Sequence, residues 1–219
     1  MLNYDAILFD VDGTLIDSAP GIIHTLQATF AGMGVDVSDV DLHCYVGPPL
    51  RRTFGEYFAE DRQIEQATEL YRKFYKDGGS HECVLYPGVE TMLQTLRSVG
   101  LALYTATSKP IQVVTPILEE QGIAPYFTYI GGASMDRSRD TKTAVLQHVL
   151  QRPELKGKRV LMVGDRQDDM QGAVDCGLPA AGVLYGYGSM QELQPFSPVV
   201  YANSCEELTD YILNDTNGD

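Results

Sequence analysis

The sequence predicts an α/β fold, a Rossmann-like three-layer sandwich with a parallel sheet, plus an inserted all-helical cap domain. From about residue 84 onward, short continuous apolar runs alternate with helical patterns, which is typical of strands covered by helices on both faces. Strand-like runs are absent from residues 17–83, where helical patterns dominate. We therefore expect a core domain of residues 1–16 and 84–219 and a cap domain of residues 17–83.

The strands of the core are predicted from their apolar runs. The first run, residues 6–9, is followed by acidic residues and by Gly13. Later runs occur at residues 101–106, 160–163 and 180–184, with a weaker one at 127–130. Apolar residues recur at helical spacing in five segments: 22–30 and 64–74 in the cap, and 89–96, 111–118 and 144–150 in the core.

Composition limits the classes of function. The chain has 219 residues, with 16 Lys and Arg against 30 Asp and Glu, so its formal net charge is −14. That acidity argues against a nucleic-acid polymer as partner, because phosphates are bound by clustered basic residues. A phosphorylated substrate would also be repelled unless a cation intervened. The alternative interpretation is that the negative net charge only keeps the protein soluble.

Targeting and cysteine patterns predict a cytoplasmic protein. The start of the chain lacks a basic segment followed by an apolar stretch, and no run reaches the roughly 18 apolar residues that a membrane span needs. The four cysteines are scattered and form no C-x-x-C pair, so neither a disulfide framework nor a zinc site is expected. We expect no membrane partner and a monomer or homodimer.

The first polar strand end is the segment Asp10-Val-Asp-Gly-Thr14. Asp10 and Asp12 are expected on the same side of an extended segment, where their repulsion is relieved if a cation such as Mg²⁺ joins them. Gly13 permits the sharp turn that follows. The alternative is an ordinary Asp-Gly turn, but D-x-D-G-T is expected by chance in about one such chain in a thousand.

Three further polar segments follow predicted strands or begin the next helix: Thr107-Ser108-Lys109, Lys142, and Gly164-Asp165 through Asp169. Taken by itself, each of these segments has a simpler structural explanation. Thr107 or Ser108 could cap the helix that begins near Pro110, Lys142 could be a solvated surface residue, and acids favour a helix N-terminus. Because ligands of open parallel sheets bind at the carboxyl ends of the strands, we expect these groups to converge. Carboxylates, a hydroxyl and an ammonium together suit phosphoryl transfer.

The four motifs resemble, in order, those of the haloacid dehalogenase-like hydrolase superfamily, and the resemblance covers essentially the whole chain. It is closest to the phosphoglycolate phosphatase or 5′-nucleotidase-like branch with a helical C1-type cap. Three further segments look similar to that branch: residues 46–50, 106–110 and 182–188. Two positions depart from the usual pattern, since Ser108 stands where many relatives have Asn and Arg166 where Ser is frequent.

The resemblance implies a role for each motif. Asp10 would be the nucleophile that forms an aspartyl-phosphate, and Asp12 the general acid and base. Thr107 and Lys142 would bind the transferring phosphoryl group, with Ser108 beside them, and Lys142 would also restrain Asp10. Mg²⁺ would be held by Asp10, the main-chain carbonyl of Asp12, Asp165 and Asp169.

In this family the cap closes over the core and selects the leaving group. Arg51 and Arg52 follow the stiff Gly47-Pro48-Pro49 segment and are candidate substrate-binding residues. The alternative is that both arginines are solvated surface charges.

The predicted function is Mg²⁺-dependent hydrolysis of a small phosphorylated metabolite, either of the phosphoglycolate type or a 5′-nucleoside monophosphate. A phosphomutase of the β-phosphoglucomutase type would use the same first two acids. A catalytically inactive phosphate-binding module is the alternative outside the enzymes, although it would be expected to lack Asp10 or Asp165. A dehalogenase does not need a second acid, so Asp12 argues against one.

Overall fold

The computed structural model describes residues 2–136 and 138–214 of the chain. The chain divides into two compact units, one of residues 1–16 and 85–219 and the other of residues 17–84. The division after residue 84 lies one position beyond the expected one after residue 83. We call these the core unit and the cap unit.

The described residues form these strands: β1 (Ala6–Phe9), β2 (Ile16–Asp17), β3 (Val84–Leu85), β4 (Ala102–Pro110), β5 (Tyr129–Ala133), β6 (Val160–Gly164), β7 (Ala180–Val183) and β8 (Val200–Ala202). Six of them form a parallel sheet in the order β5-β4-β1-β6-β7-β8, while β2 and β3 pair separately.

The helices of the cap unit are α1 (Ala19–Gly32), α2 (Leu50–Gly55) and α3 (Asp61–Asp77). Those of the core unit are α4 (Val89–Ser98), α5 (Ile111–Glu120), α6 (Lys142–Leu150), α7 (Gln167–Asp175), α8 (Met190–Leu193) and α9 (Cys205–Asn214). No helix within residues 2–136 and 138–214 has the length and apolar character needed to cross a membrane.

The prediction of a parallel α/β fold is confirmed, with differences at the strand ends. The weak run at 127–130 proves to be the start of β5, which continues to Ala133. The run at 101–106 continues to Pro110, with irregular pairing to β5 between Thr107 and Pro110. Strand β8 was not predicted, because three residues are too few to show a periodicity.

Strand order determines where a ligand can reach the sheet. β1 lies in the middle, between β4 and β6, and its residues are at most 1% exposed. Phe9 is in register with Thr105 on one side and Val163 on the other. The chain runs outward from β1 to β5 and then crosses back to β6, so the carboxyl end of β1 lies at the switch in strand order.

Candidate active site

Asp10 follows the last residue of β1 and is held there by backbone and side-chain contacts. Its amide N–H donates to the carbonyl of Val163 at 2.8 Å, which keeps Asp10 beside the end of β6. Lys142 donates from Nζ to Oδ1 of Asp10 at 2.6 Å. The two residues are only 7% and 6% exposed, so their charges face each other inside the protein.

Lys142 is the first residue of α6, and its ammonium group meets three acceptors. These are Oδ1 of Asp10 at 2.6 Å, Oδ1 of Asp169 at 2.7 Å, and the carbonyl of Ala106 at 2.8 Å. An ammonium carries three N–H donors, so all three are matched. The solvated-lysine alternative is therefore wrong, and Lys142 restrains the carboxylates of two separate motifs.

Three buried carboxylates converge beside Lys142. One oxygen each of Asp10, Asp165 and Asp169 can be chosen so that all lie within 4.8 Å of one another. Asp165 follows β6, and Asp169 lies in the first turn of α7, where its Oδ2 accepts the N–H of Arg166 at 3.0 Å. Asp165 accepts from the Thr14 hydroxyl through Oδ1 at 3.3 Å and from the Tyr187 N–H through Oδ2 at 2.7 Å.

Burial controls the protonation of this group. The pKa of Asp10 is raised to about 7, because the effects of burial and of the Asp169 and Asp12 carboxylates together outweigh the opposite effect of Lys142. Burial and the carboxylates of Asp169 and Asp10 raise the pKa of Asp165 well above its usual range. The pKa of Lys142 is raised because its carboxylate partners outweigh the effect of burial. Three ionised carboxylates against one ammonium leave two unbalanced negative charges.

Asp12 is paired with a second lysine. Its Oδ1 accepts from Nζ of Lys109 at 2.6 Å, and both side chains are about nine-tenths buried, at 11% and 9% exposure. A lysine thus lies against the side chain of Asp12, and a cation that joins the Asp10 and Asp12 carboxylates stays a prediction. The main-chain carbonyl of Asp12 also stays a predicted ligand of Mg²⁺.

Lys109 is a residue of the site that the sequence did not predict. It was visible in the Thr107-Ser108-Lys109 segment, but nothing in one sequence distinguishes its ammonium from a solvated charge. Lys109 lies at the irregular end of β4, where its amide N–H also donates to Oγ1 of Thr107 at 3.1 Å. Lys109 thus links the Thr107 hydroxyl to the Asp12 carboxylate.

Thr107 is 1% exposed at the end of β4, and Ser108 next to it is half-buried. The helix-capping alternative for them is wrong, because α5 begins at Ile111 with Pro110 as its N-cap residue and no side-chain cap.

Arg51 and Arg52 lie on α2 of the cap unit. Arg51 pairs with Asp61 at 2.6 Å and with Glu65 at 3.1 Å, and Arg52 is exposed. Arg51 thus has carboxylate partners in its own unit. Binding of substrate by either arginine stays a prediction.

Gly13 is required by the geometry of the loop after β1. Its φ of +83° is unfavourable for other residues, and a Cβ there would overlap the carboxylate of Asp165. The close approach of this loop to Asp165 therefore depends on glycine. This approach brings the segment from Asp10 to Thr14 next to the segment from Gly164 to Asp169.

The fold and these converging carboxylates are those of a hydrolase family. Residues 7–183 match the model described as haloacid dehalogenase-like hydrolase, and the chain belongs to that family. A relative from Pseudomonas aeruginosa named 5′-nucleotidase is 35% identical over 94% of this chain and 93% of its own. One from Vibrio vulnificus named phosphoglycolate phosphatase is 30% identical over 94% and 95%.

Two other similarities bear on function. A Mycobacterium tuberculosis relative named tyrosine-protein kinase PtkA is 36% identical over 92% of this chain and 70% of its own. The crystal structure of a predicted phosphatase from Clostridium acetobutylicum matches with a TM-score of 0.88 and 37% identity, covering 95% of this chain and 98% of that one.

Proposed function

We propose that the protein is a Mg²⁺-dependent phosphatase that hydrolyses a small phosphomonoester through an aspartyl-phosphate. The observation that carries this proposal is the buried group of Asp10, Asp165 and Asp169, whose oxygens lie within 4.8 Å of one another against the single ammonium of Lys142. Ionised carboxylates are expensive to bury unless their charge is balanced, so a further cation would stabilise the ionised form of this site.

The donor set fits Mg²⁺. Mg²⁺ prefers carboxylate, carbonyl and water oxygens, and the two unbalanced negative charges equal its positive charge. Asp10, Asp165 and the main-chain carbonyl of Asp12 would hold it, and Asp169 would support it directly or through water. When bound, Mg²⁺ would neutralise the carboxylates and polarise a phosphoryl oxygen.

Asp10 would act as the nucleophile. Lys142 holds Oδ1 of Asp10, which orients the carboxylate and favours its ionised form. A carboxylate oxygen attacks phosphorus, the bond from phosphorus to the ester oxygen breaks, and the leaving alkoxide carries away the electron pair. Thr107 would stabilise the transferring group, because its oxygen accepts the Lys109 N–H and its own O–H hydrogen can be donated to a phosphoryl oxygen.

Asp12 would supply and then recover one proton. In the first half-reaction the protonated carboxyl gives its proton to the leaving alkoxide. In the second it takes a proton from the water that attacks phosphorus, which releases inorganic phosphate and regenerates Asp10. The ammonium of Lys109 lies 2.6 Å from Oδ1 of Asp12 and would orient this carboxyl group for proton transfer.

The substrate class follows from the relatives, which are named 5′-nucleotidase and phosphoglycolate phosphatase. We infer a small phosphorylated metabolite, with Ser108, Arg51 and Arg52 as candidate contacts beyond the phosphoryl group.

The decisive experiment compares wild-type protein with Asp10→Asn in hydrolysis of an aryl phosphate, with Mg²⁺ and with EDTA. We expect turnover that requires Mg²⁺ and falls by about 10⁴-fold or more in the variant, since the nucleophile is lost. Asp5→Asn is the matched control: Asp5 precedes β1 and pairs with Arg159, so its activity should stay near wild type. Turnover in Asp10→Asn equal to that of the control would refute the mechanism.

Comparison of kcat/KM across phosphoglycolate, pyrophosphate and 5′-nucleoside monophosphates then identifies which class of phosphate compound the enzyme prefers. We expect one of these phosphate compounds to be hydrolysed at least tenfold better than the aryl phosphate. Transfer of phosphate from ATP to a tyrosine peptide, in place of release to water, would contradict the hydrolase assignment.

A further inference from the structure

The loop that follows β7 lies against Asp165, although the proposed reaction assigns it no role. It comprises residues 184–189, and the backbone N–H of Tyr187 donates to Oδ2 of Asp165 at 2.7 Å. A Cβ at Gly186 would overlap the carbonyl of Gly13 and lie 2.6 Å from Oδ2 of Asp165. Glycine therefore allows this loop to approach both Asp165 and the loop after β1.

Tyr185 in the same loop binds the segment that holds the other oxygen of Asp165. Its hydroxyl donates to the carbonyl of Thr14 at 3.1 Å, and the Thr14 hydroxyl donates to Oδ1 of Asp165 at 3.3 Å. The thiol of Cys205 donates to the Tyr185 oxygen at 3.5 Å, and the Tyr86 ring lies 5.2 Å from the Tyr185 ring. The hydroxyl thus has a donor on one side and an acceptor on the other, which sets its direction.

We propose that Tyr185 is a positioning residue for Mg²⁺: its hydroxyl fixes the Thr14 backbone, and the Thr14 hydroxyl and Tyr187 amide together orient both oxygens of Asp165. This inference rests on the proposed function, because it requires that Asp165 be a ligand. Residues that hydrogen-bond to a metal ligand commonly change affinity for the metal 10–100-fold when they are removed. Burial raises the pKa of Tyr185 well above its usual range, which keeps the phenol protonated as a donor.

The test is calorimetric titration of Mg²⁺ into wild-type, Tyr185→Phe, Thr14→Val and doubly substituted protein, without substrate. We expect about tenfold weaker Mg²⁺ binding in each single variant. Because Tyr185 acts through Thr14, the double variant should bind Mg²⁺ no more weakly than Thr14→Val alone. Tyr4→Phe is the matched control, since the Tyr4 hydroxyl lies 3.5 Å from that of Tyr211 and before β1, and its affinity should equal the wild type.

A second readout separates positioning from a general loss of structure. In aryl phosphate hydrolysis, Tyr185→Phe should need about tenfold more Mg²⁺ for half-maximal rate and recover a kcat within twofold of wild type at saturating Mg²⁺. If Tyr185→Phe unfolds at lower temperature in EDTA yet binds Mg²⁺ within twofold of wild type, the positioning role is refuted. Additive losses in the double variant would also refute it. If wild-type protein binds no Mg²⁺, both this inference and the proposed function fail.

Discussion

The core unit and the cap unit differ in what they bury. Among the described residues, the buried charged side chains all lie in the core unit. They are Asp10, Asp12, Lys142, Asp165 and Asp169, with the largely buried side chain of Lys109 against Asp12. The buried polar groups of the cap unit are hydroxyls, and three of them donate to helix carbonyls four residues earlier: Thr25 to Gly21 at 2.6 Å, Thr29 to Thr25 at 2.7 Å and Thr68 to Ile64 at 2.7 Å.

The three cap threonines form hydrogen bonds within their own helices, whereas the buried charges of the core pair with residues far away in the sequence. Each of these three threonines finds its acceptor one turn away, so the cap needs no distant partner for them. The rest of the cap interior is apolar and aromatic, as where Phe30 and Phe54 meet edge to face at 5.6 Å. In the core, Lys142 and Asp10 are 132 positions apart in sequence and depend on each other. The unit with mutually dependent charges is the one in which we place the reaction.

Removal of a lysine tests this comparison most strongly. Lys142→Met leaves Asp10 and Asp169 without their ammonium partner, and we expect it to lower the free energy of unfolding by about 3–5 kcal/mol in EDTA at pH 8. Arg51→Met in the cap removes a pair whose Asp61 partner is 90% exposed, so about 0–1 kcal/mol is expected. Urea denaturation of both variants measures the two values. Equal losses of unfolding free energy in the two variants would contradict the difference that we infer between the buried charges of the core unit and the exposed ion pairs of the cap unit.

The second prediction concerns pH. Because the pKa of Asp10 is raised from 3.8 to about 7, the folded protein retains a proton that the unfolded chain has released between those values. The stability of the metal-free protein should therefore fall as pH rises from about 4 to about 7. Asp10→Asn should flatten this part of the profile, whereas Asp61→Asn in the cap should leave it unchanged.

Mg²⁺ should restore the stability that the metal-free protein loses as pH rises, because metal and protons compete for the same carboxylates. Mg²⁺ at 100 times its Kd should add about 2.7 kcal/mol at pH 8 and less at pH 5.5. Thermal unfolding with EDTA and with Mg²⁺ at the two pH values checks both statements. A larger effect of Mg²⁺ at pH 5.5 would be inconsistent with ligation by Asp10.

The third prediction concerns Lys109. Lys109→Met removes the partner of Asp12, and we expect kcat/KM for an alkyl phosphate to fall about 10–100-fold because proton transfer by Asp12 is impaired. The loss should be smaller for an aryl phosphate, whose leaving group needs less protonation. Lys109→Arg should restore part of the activity. Identical losses for both substrates would mean that Lys109 does not act through Asp12.

The predicted fold was more complete than the predicted site. The continuous run at 6–9 and the helical spacing at 89–96 depend on residues close in sequence, and both elements are present, as β1 and α4. Thr107 and Asp165 were identified because they lie at the ends of predicted strands, and Asp169 because the resemblance to the family includes the segment from Gly164 to Asp169. Lys109 and Tyr185 were missed, because a lysine after a strand and a tyrosine between glycines show nothing of their partners.

The sequence by itself determined the strands and helices with a clear apolar pattern, such as β1, β6, α3 and α4, and which residues could carry phosphoryl chemistry. Periodicity, glycine positions and the D-x-D-G-T segment are properties of neighbouring residues, and they can be observed without a structure. Tertiary structure decided the pairing of charges: Asp12 with Lys109, and Asp10 and Asp169 with Lys142. These pairs join segments up to 132 positions apart, and the energy of a buried charge depends on the atoms packed around it, which only the folded chain specifies.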